Sequence, residues 1–504
     1  MMIQPEEREL YRSSNKEWLQ GRSIMVVSNR GPVSFSQDDQ GDLLFQRSGG
    51  GLVTALTGLA EHVEMTWVAA AVNPLETSWQ SGDISLGEGA PSINLQMVPL
   101  SNEVYESYYN VIANPLLWFL QHSMWNFIST PTITRATWDA WEQGYVAANR
   151  EFAAVIAQHL KTAKTHTLVM LQDYHLYLVP RLLRNLLRRR RNYTLTYFVH
   201  IPWPGSEDWG FLPAGMRQPI LEGLTAVDLL GFQTREDGLN FLRTVETFLP
   251  GSHVSYGRGR IAYRNHVTHV RDFPISVDVT AVQRLAMSTE VQQLAAQLEK
   301  ESDGFPLIVR VDRTEPSKNI VRGFQAFGEM LDLHPEHCGR VKFYALLVPS
   351  RLNVEEYQNY HDELTAAAGW INSRHGTSEW EPVRILTGES YPRAIAALQL
   401  YDVLLVNSIA DGMNLVAKEG PLVNHRDGVV VLSERTGARQ QLESGALVIS
   451  PCDVYATAEA LHQALTMPAE ERALRAARLR RLVEEHDIND WLSSQVDTLQ
   501  SLRL

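Results

Sequence analysis

Short apolar runs alternate with polar segments along this chain, and the apolar runs form two series. The first comprises "SIMVV", "TWVAAAV", "THTLVMLQ", "YTLTYFVH" and "VDLLGF". After "RDFPISVDV" the pattern restarts with "FPLIVRVD", "VKFYALLV", "VRILTG", "YDVLLVNS", "GVVVLSE" and "GALVISP". Helical patterns such as "VPRLLRNLL" and "NIVRGFQAFGEML" lie between several of them. Strands that are apolar throughout and alternate with helices predict parallel sheets covered on both faces. Two such series predict two Rossmann-like domains with a boundary near Pro274. "RSGGGLVTALTGLAEHV" predicts a glycine-rich turn leading into a helix. "INDWLSSQVDTLQSL" predicts an amphipathic last helix. The basic run Arg188 to Arg191 predicts a solvated helix end rather than a binding patch, since cations favour a helix carboxyl terminus.

Composition narrows the function classes. With 504 residues the chain has room for two or three domains. A formal charge of −13 argues against nucleic acid as the main partner. Cys338 and Cys452 are too few for a disulfide framework or a cysteine-rich zinc site. "HPEHCG" reads as a surface loop, and His337 beside Cys338 is not a metal pattern. The segment "MMIQPEEREL" lacks the apolar core of a signal peptide, and no apolar run is long enough to span a bilayer. The expected compartment is the cytoplasm, with no membrane partner.

In open α/β sheets ligands bind beyond the carboxyl ends of the strands. The unusual polar residues fall there in both halves. Arg30 follows "IMVVSN", Asp173 and His175 follow "LVMLQ", and His200 follows "LTYFV". Arg313 and Lys318 follow "PLIVRVD", Arg351 follows "YALLVPS", and Asp411 and Glu419 follow "VLLVNS". Any one of them alone reads equally as a cap or a solvated loop residue. Together they predict a ligand cleft between two domains.

Three stretches suggest particular chemistry. Glycines in "SGGG", Ser48 to Gly51, permit close backbone approach, and the helix after them offers free N–H groups to an anion. Arg313 and Lys318 span "RTEPSK" and are placed to clamp a diphosphate, with an ion pair to Glu315 or Asp312 as the structural alternative. In "DGMNLVAKE", Asp411 precedes a glycine, a helix is expected from near Asn414, and Glu419 lies inside it. A carboxylate accepts from two hydroxyls at once, which suits a sugar or ribose diol. Asp411 as a helix cap with Glu419 solvated is the alternative.

These segments carry a family resemblance. "VVSNRGPV", "GGGLVTAL", "YYNVIANPLLW", "QDYHLYLVP", "FVHIPWPGSEDWGFLP", "DLLGFQT", "FPISVD", "DGMNLVAKE" and "HDINDW" resemble the trehalose-6-phosphate synthase family of retaining glycosyltransferases, in unbroken order from about Met25 to about Leu499. The resemblance implies an α/β fold of GT-B type, with two Rossmann-like domains whose parallel sheets face a central cleft. Residues 1–274 would bind the acceptor and residues 275–485 the nucleotide sugar. Residues 486–504 would form a helix returning to the first domain. It implies a donor site made by Gly50, Gly51, Arg313, Lys318, Asp411, Gly412, Met413, Asn414, Leu415, Val416 and Glu419. Arg30, Tyr109, Trp118, Asp173 and Arg351 would hold the phosphorylated acceptor. His200, Asp173, Arg313, Lys318 and Asp411 would act on the reacting groups. No cofactor and no metal are implied, because the two cations take the place of Mg²⁺.

The expected reaction moves glucose from a nucleotide-glucose, carrying UDP, GDP or ADP, to glucose 6-phosphate. Self-association into a homo-oligomer stays open. Several positions depart from the family pattern. Asn319 stands where a glycine is usual, Thr314-Glu315-Pro316 where Leu-Asp-Tyr is common, Ala410 where an arginine is usual, and Gln172 where a histidine is usual. These features resemble the validoxylamine-7′-phosphate-forming relatives. They keep glycerol 3-phosphate or a cyclitol phosphate as alternative acceptors. A non-catalytic sugar-phosphate-binding subunit is disfavoured by the joint presence of Arg313, Lys318, Asp411 and Glu419.

Overall fold

The computed structural model describes residues 18–37, 41, 43–47, 63–85, 92–126, 128–188, 190, 192–351 and 354–504. The chain divides into two compact units, Met1–Pro274 with Asn489–Leu504, and Ile275–Ile488. Among the described residues no helix is long and apolar enough to cross a membrane.

The first unit contains strands β1 (Arg22–Val27), β2 (Val33–Gln37), β3 (Leu43–Arg47), β4 (Met65–Ala70), β5 (Ser81–Ser85), β6 (Ser92–Val98), β7 (His166–Gln172), β8 (Tyr193–Val199), β9 (Leu229–Phe232), β10 (His253–Ser255), β11 (Arg260–Tyr263) and β12 (His266–Asp272). Apart from the β2–β3 hairpin they make one sheet of order β10-β11-β12-β9-β8-β7-β1-β4-β6-β5. Its seven central strands, from β12 to β6, are parallel. β4 and β8 are buried along their whole length, which is why they read as unbroken apolar runs. The expectation of parallel sheets is corrected at the edges, where β10–β11–β12 and β5–β6 pair antiparallel. These edge strands are short and partly exposed, so continuous hydrophobicity could not mark them. The last helix, Ile488–Leu502, belongs chiefly to this unit, and the Trp491 ring meets Phe198 of β8 edge-on at 5.2 Å. Arg190, from the basic run, donates to the Leu160 and Lys161 carbonyls, so it caps the helix Ala147–Thr162 instead of closing its own.

The second unit holds β13 (Leu307–Arg313), β14 (Lys342–Val348), β15 (Val383–Thr387), β16 (Val403–Val406), β17 (Val429–Ser433) and β18 (Leu447–Ile449). All six are parallel, in the order β15-β14-β13-β16-β17-β18. The core under one face joins Ile308, Phe343, Leu405 and Val431 to Phe324, Phe327 and Leu461 of the covering helices. In each sheet the chain first builds outward in one direction and then in the other. The reversal falls between β1 and β7 in the first unit and between β13 and β16 in the second. Loops leaving two neighbouring strands on opposite sides of such a reversal part from each other and leave a crevice.

Candidate active site

Arg30 and Asp173 in the first unit, and Arg313, Lys318 and Asp411 in the second, follow the strands at these reversals, while His200 and Arg351 follow the neighbouring strands β8 and β14. In the second unit, β13 runs into a tight turn, Pro316–Lys318, and then into the helix Ile320–Leu333. Asn319 joins turn to helix with φ 58°, a left-handed conformation that asparagine tolerates better than other side chains. Its amide donates to the Asn407 carbonyl at 2.9 Å and the Pro451 carbonyl at 2.7 Å, while Asn407 donates back to the Asn319 carbonyl at 3.0 Å. Ile409 N–H donates to the Ser317 carbonyl at 2.8 Å. The loops after β13 and β16 are therefore laced together. Lys318 Nζ meets Asp411 Oδ2 at 2.5 Å, with the two side chains only 13% and 15% exposed.

Sequence reasoning missed the supports of this pair. Arg310, within β13, is fully buried and donates twice to Asp312 Oδ2, at 3.0 and 2.7 Å, and to the Lys318 carbonyl at 2.9 Å. A Cβ on Gly323 would lie 2.4 Å from the Arg310 guanidinium, so only glycine leaves room for it. An arginine inside the apolar stretch "LIVRV" of β13 was the available signal. Burial by itself would lower the Lys318 pKa, but Asp411 and Asp312 beside it hold it above its ordinary value. Lys318 is charged at neutral pH.

The ion-pair alternative for Arg313 is what the structure holds, but the carboxylate is buried. Glu315 is 1% exposed and takes Arg313 at 2.9 Å and Arg351 at 3.5 Å. Ser350 donates to the same oxygen at 3.3 Å. Arg351 also donates to the Tyr357 hydroxyl and lies over its ring. The two arginines assigned to different ligands thus share one carboxylate.

In the loop after β16, Asp411 also accepts from Asn414 Nδ2 at 3.1 Å and Ser408 Oγ at 3.4 Å. The loop is tied to the turn after β17, with Asp411 N–H on the Arg435 carbonyl, Gly437 N–H on the Asp411 carbonyl and Ala438 N–H on the Met413 carbonyl. A side chain at Gly437 would strike the Gly412 carbonyl, the Cβ falling 1.9 Å from its oxygen. The helix expected from near Asn414 starts later, at Val416, and runs to Val423. Asn414 stands ahead of it at φ 69°, and its Oδ1 accepts from Ala417 N–H at 3.2 Å. It is Asn414, not Asp411, that bonds to the first turn, and Met413 and Asn414 are buried while Leu415 and Val416 are half-buried. Glu419 Oε1 accepts from the Tyr391 hydroxyl at 2.9 Å, and burial raises the Glu419 pKa. No sequence signal pointed to Tyr391. Gly50 and Gly51 lie outside the described residues.

In the first unit, Arg30 is exposed in the loop after β1, and Ser28 Oγ donates to its carbonyl at 2.7 Å. Tyr105, Tyr109 and His175 stack in series, with centroids 5.3 and 5.7 Å apart. Tyr109 and Trp118 belong to one wide-turned helix, Glu106–Trp118, where Asn114 Nδ2 donates to the Tyr109 carbonyl five residues back at 3.0 Å. Trp118 is buried and packs on His122, with ring centroids 4.1 Å apart, so it is not one of the stacked rings. Asp173 follows β7 at φ 68°. Its N–H donates to the Phe198 carbonyl at 2.8 Å and its carbonyl accepts from the Tyr197 hydroxyl, which hold this uncommon conformation in place.

His200 follows β8, and its Nε2 lies 2.9 Å from Gln172 Oε1. Gln172 Nε2 donates to the Met170 carbonyl at 3.4 Å, which turns the amide oxygen toward the histidine. Burial pushes the His200 pKa down. In this assignment the ring is neutral, its proton is on Nε2, and Nδ1 is left as an acceptor.

Comparison with known proteins decides the family. The model of glycosyltransferase family 20 matches residues 22–501. This chain belongs to glycosyltransferase family 20. A trehalose-phosphate synthase (UDP-forming) of Schizosaccharomyces pombe is 33% identical over 96% of this chain and 91% of its own. The Escherichia coli protein solved with UDP-2-fluoro glucose superposes with a TM-score of 0.82 at 28% identity, covering 95% of this chain and 98% of its own. A trehalose-phosphate synthase (UDP-forming) of Burkholderia xenovorans, solved with glucose-6-phosphate, superposes with a TM-score of 0.80 at 25% identity, covering 95% of this chain and all of its own. The family 20 fold is GT-B, and the chain is a glycosyltransferase. Against the family, Asn319 has a physical explanation. The position needs a left-handed backbone, which glycine supplies by lacking a Cβ and asparagine supplies while also tying two loops together.

Proposed function

We propose that this chain is a retaining glucosyltransferase that transfers glucose from UDP-glucose to glucose 6-phosphate, giving trehalose 6-phosphate and UDP. The observation that carries this is the Lys318–Asp411 pair at the β13/β16 reversal, in a chain similar over nearly its full length to proteins solved with a UDP-glucose analogue and with glucose-6-phosphate. An anion arriving at Lys318 competes with Asp411 for the ammonium. Donor binding then hands the cation to the diphosphate and frees the carboxylate for sugar hydroxyls. Arg313 supplies the second cation, Glu419 takes the ribose diol, and backbone N–H groups of Gly412 to Val416 line the donor.

On the acceptor side, Arg30 and Arg351 read the phosphate, while Tyr109, Trp118 and Asp173 position the sugar. The acceptor oxygen forms its bond to the anomeric carbon on the face the diphosphate leaves. The carbon–oxygen bond to the diphosphate breaks, and the acceptor proton passes to the departing phosphate oxygen. Neutral His200 accepts a donor-sugar hydroxyl at Nδ1. The protein contributes positioning and fixed charge. Both substrates are cytoplasmic metabolites, and we place the reaction there. The test is a matrix of UDP-, GDP- and ADP-glucose against glucose 6-phosphate, glycerol 3-phosphate and a cyclitol phosphate, read by nucleoside diphosphate release and by product stereochemistry. UDP release that depends on glucose 6-phosphate and yields the α,α-linked product is expected. Release with no dependence on glucose 6-phosphate would overturn the assignment.

A further inference from the structure

The segment "HPEHCG" does not stand alone in the fold. His334 closes the helix Ile320–Leu333, and Pro335–His337 form a short helical turn instead of an open loop. The helix Val454–Thr466 packs alongside and brings Glu459 and His462 to the same place. The His334 and His462 rings stack face to face, centroids 3.6 Å apart and 6° from parallel. His337 Nε2 lies 2.9 Å from His462 Nδ1. Glu336 Oε1 lies 3.7 Å from His334 Nδ1 and 4.0 Å from His462 Nδ1. Three imidazoles and a carboxylate thus converge from two elements whose rigid packing sets their spacing.

A second observation singles this cluster out from a chance gathering of histidines. The other ring nitrogen of His334, Nε2, lies 2.9 Å from Glu459 Oε1. A carboxylate on the far nitrogen is the arrangement that orients metal-bound histidines, fixing the tautomer and raising the basicity of the ligating atom. With Nε2–H on Glu459, His334 turns a lone pair on Nδ1 toward Glu336. Tetrahedral zinc with ~2.0–2.1 Å bonds places its ligand atoms roughly 3.3 Å apart. The ligand atoms of His334, Glu336 and His462 all lie within 4.8 Å of one another, and the two stacked rings must turn about their Cβ–Cγ bonds to aim both lone pairs at one ion.

We propose that His334, His462 and Glu336 form a binding site for a divalent transition-metal ion with zinc-like preferences, with water completing the shell, Glu459 orienting His334 and His337 standing beside His462. Nitrogen-rich, oxygen-poor ligand sets select such ions over Mg²⁺ and Ca²⁺. The ion would fasten the carboxyl end of the helix Ile320–Leu333 to the helix Val454–Thr466. The first of these helices starts two residues after Lys318. The site is separate from the residues assigned to the reaction, so its occupancy is read without measuring turnover.

The full-length chain, free of any histidine tag and stripped with a chelator, is titrated with Zn²⁺ by calorimetry and with Co²⁺ by visible absorption. The expected result is saturation at one ion per chain, tetrahedral cobalt bands displaced by zinc, and a higher Tm with zinc. His462→Ala should abolish both binding and the Tm rise. Glu459 is not itself a ligand, and Glu459→Gln, which weakens its hold on His334, should weaken zinc about 10- to 100-fold. His361→Ala, at a half-buried position on another helix, should change nothing. Circular dichroism in metal-free buffer establishes that each variant is folded, and Glu459→Gln keeps the test decisive if His462→Ala is not. Absence of saturable zinc binding in the parent protein would overturn the proposal. So would parental affinity in both His462→Ala and Glu459→Gln.

Discussion

Replacing Lys318 by alanine removes a cation from a site that holds it by charge alone. Its ammonium is 2.5 Å from Asp411, and both side chains are nearly buried. The nearest substitute, Arg313, is 55% exposed and already engaged by Glu315, so it cannot take over the position. Losing one group that stabilises developing charge costs on the order of 10²–10³ in turnover, or about 3–4 kcal/mol. A stability cost accompanies it, because Asp411 is left near Asp312 without its counter-ion. Removing one partner of a fully buried pair costs about 3–5 kcal/mol. Here Ser408 and Asn414 still donate to Asp411 and some water reaches it, so about 2 kcal/mol is expected. The charge is not titrated near neutrality. Because the folded pKa is raised, the stabilisation is complete below the ordinary value of 10.5 and is lost only as pH rises through the folded one. The assay is UDP release at saturating substrates, with urea unfolding on the same preparations. Adding Asp411→Asn to the alanine variant should recover stability but not turnover. A folded Lys318→Ala protein that turns over within about tenfold of the parent would refute the diphosphate role.

Arg351→Ala should raise the KM for glucose 6-phosphate well beyond that for UDP-glucose; equal changes would mean that Arg351 only supports Glu315 and Tyr357. Asn319→Ala should destabilise by about 1 kcal/mol more than Asn319→Gly in urea unfolding, since both lose the ties to Asn407 and Pro451 but only alanine strains the left-handed backbone; equal losses would contradict that account. Burial lowers the Lys418 pKa to about 7 from an ordinary 10.5, and its amine donates to the Ile275 carbonyl at 2.8 Å. Between those two values the unfolded chain carries the extra proton, so stability should rise with pH by up to about 1.4 kcal/mol per unit. Lys418→Met should flatten that rise, and a parallel pH profile in the variant would show that Lys418 is protonated in the fold.

What the sequence determined by itself was local. Runs such as "MTWVAA", "YTLTYFV" and "VVVLS" are buried at every position, and that burial is what an unbroken apolar run records. The polar residues just past them belong to loops at one end of each sheet, and the α/β class with two parallel-sheet series follows from that alternation, while GT-B was implied by the family resemblance. Partnership across the fold was not legible. Lys318 and Asp411 are 93 residues apart, and their contact exists because β13 and β16 pair side by side at the point where the sheet reverses. Glu315 looked like a surface partner for Arg313. Only the tertiary structure buries it and makes it serve Arg351 as well. Tyr391 on Glu419, and His462 beside His337, come from helices whose periodicity records which face is apolar but not what crosses it. Side-chain periodicity and turn chemistry are fixed by neighbours within a few residues. Strand order and helix packing are settled by the fit of whole elements, and the chemistry of this protein is assembled at that second level.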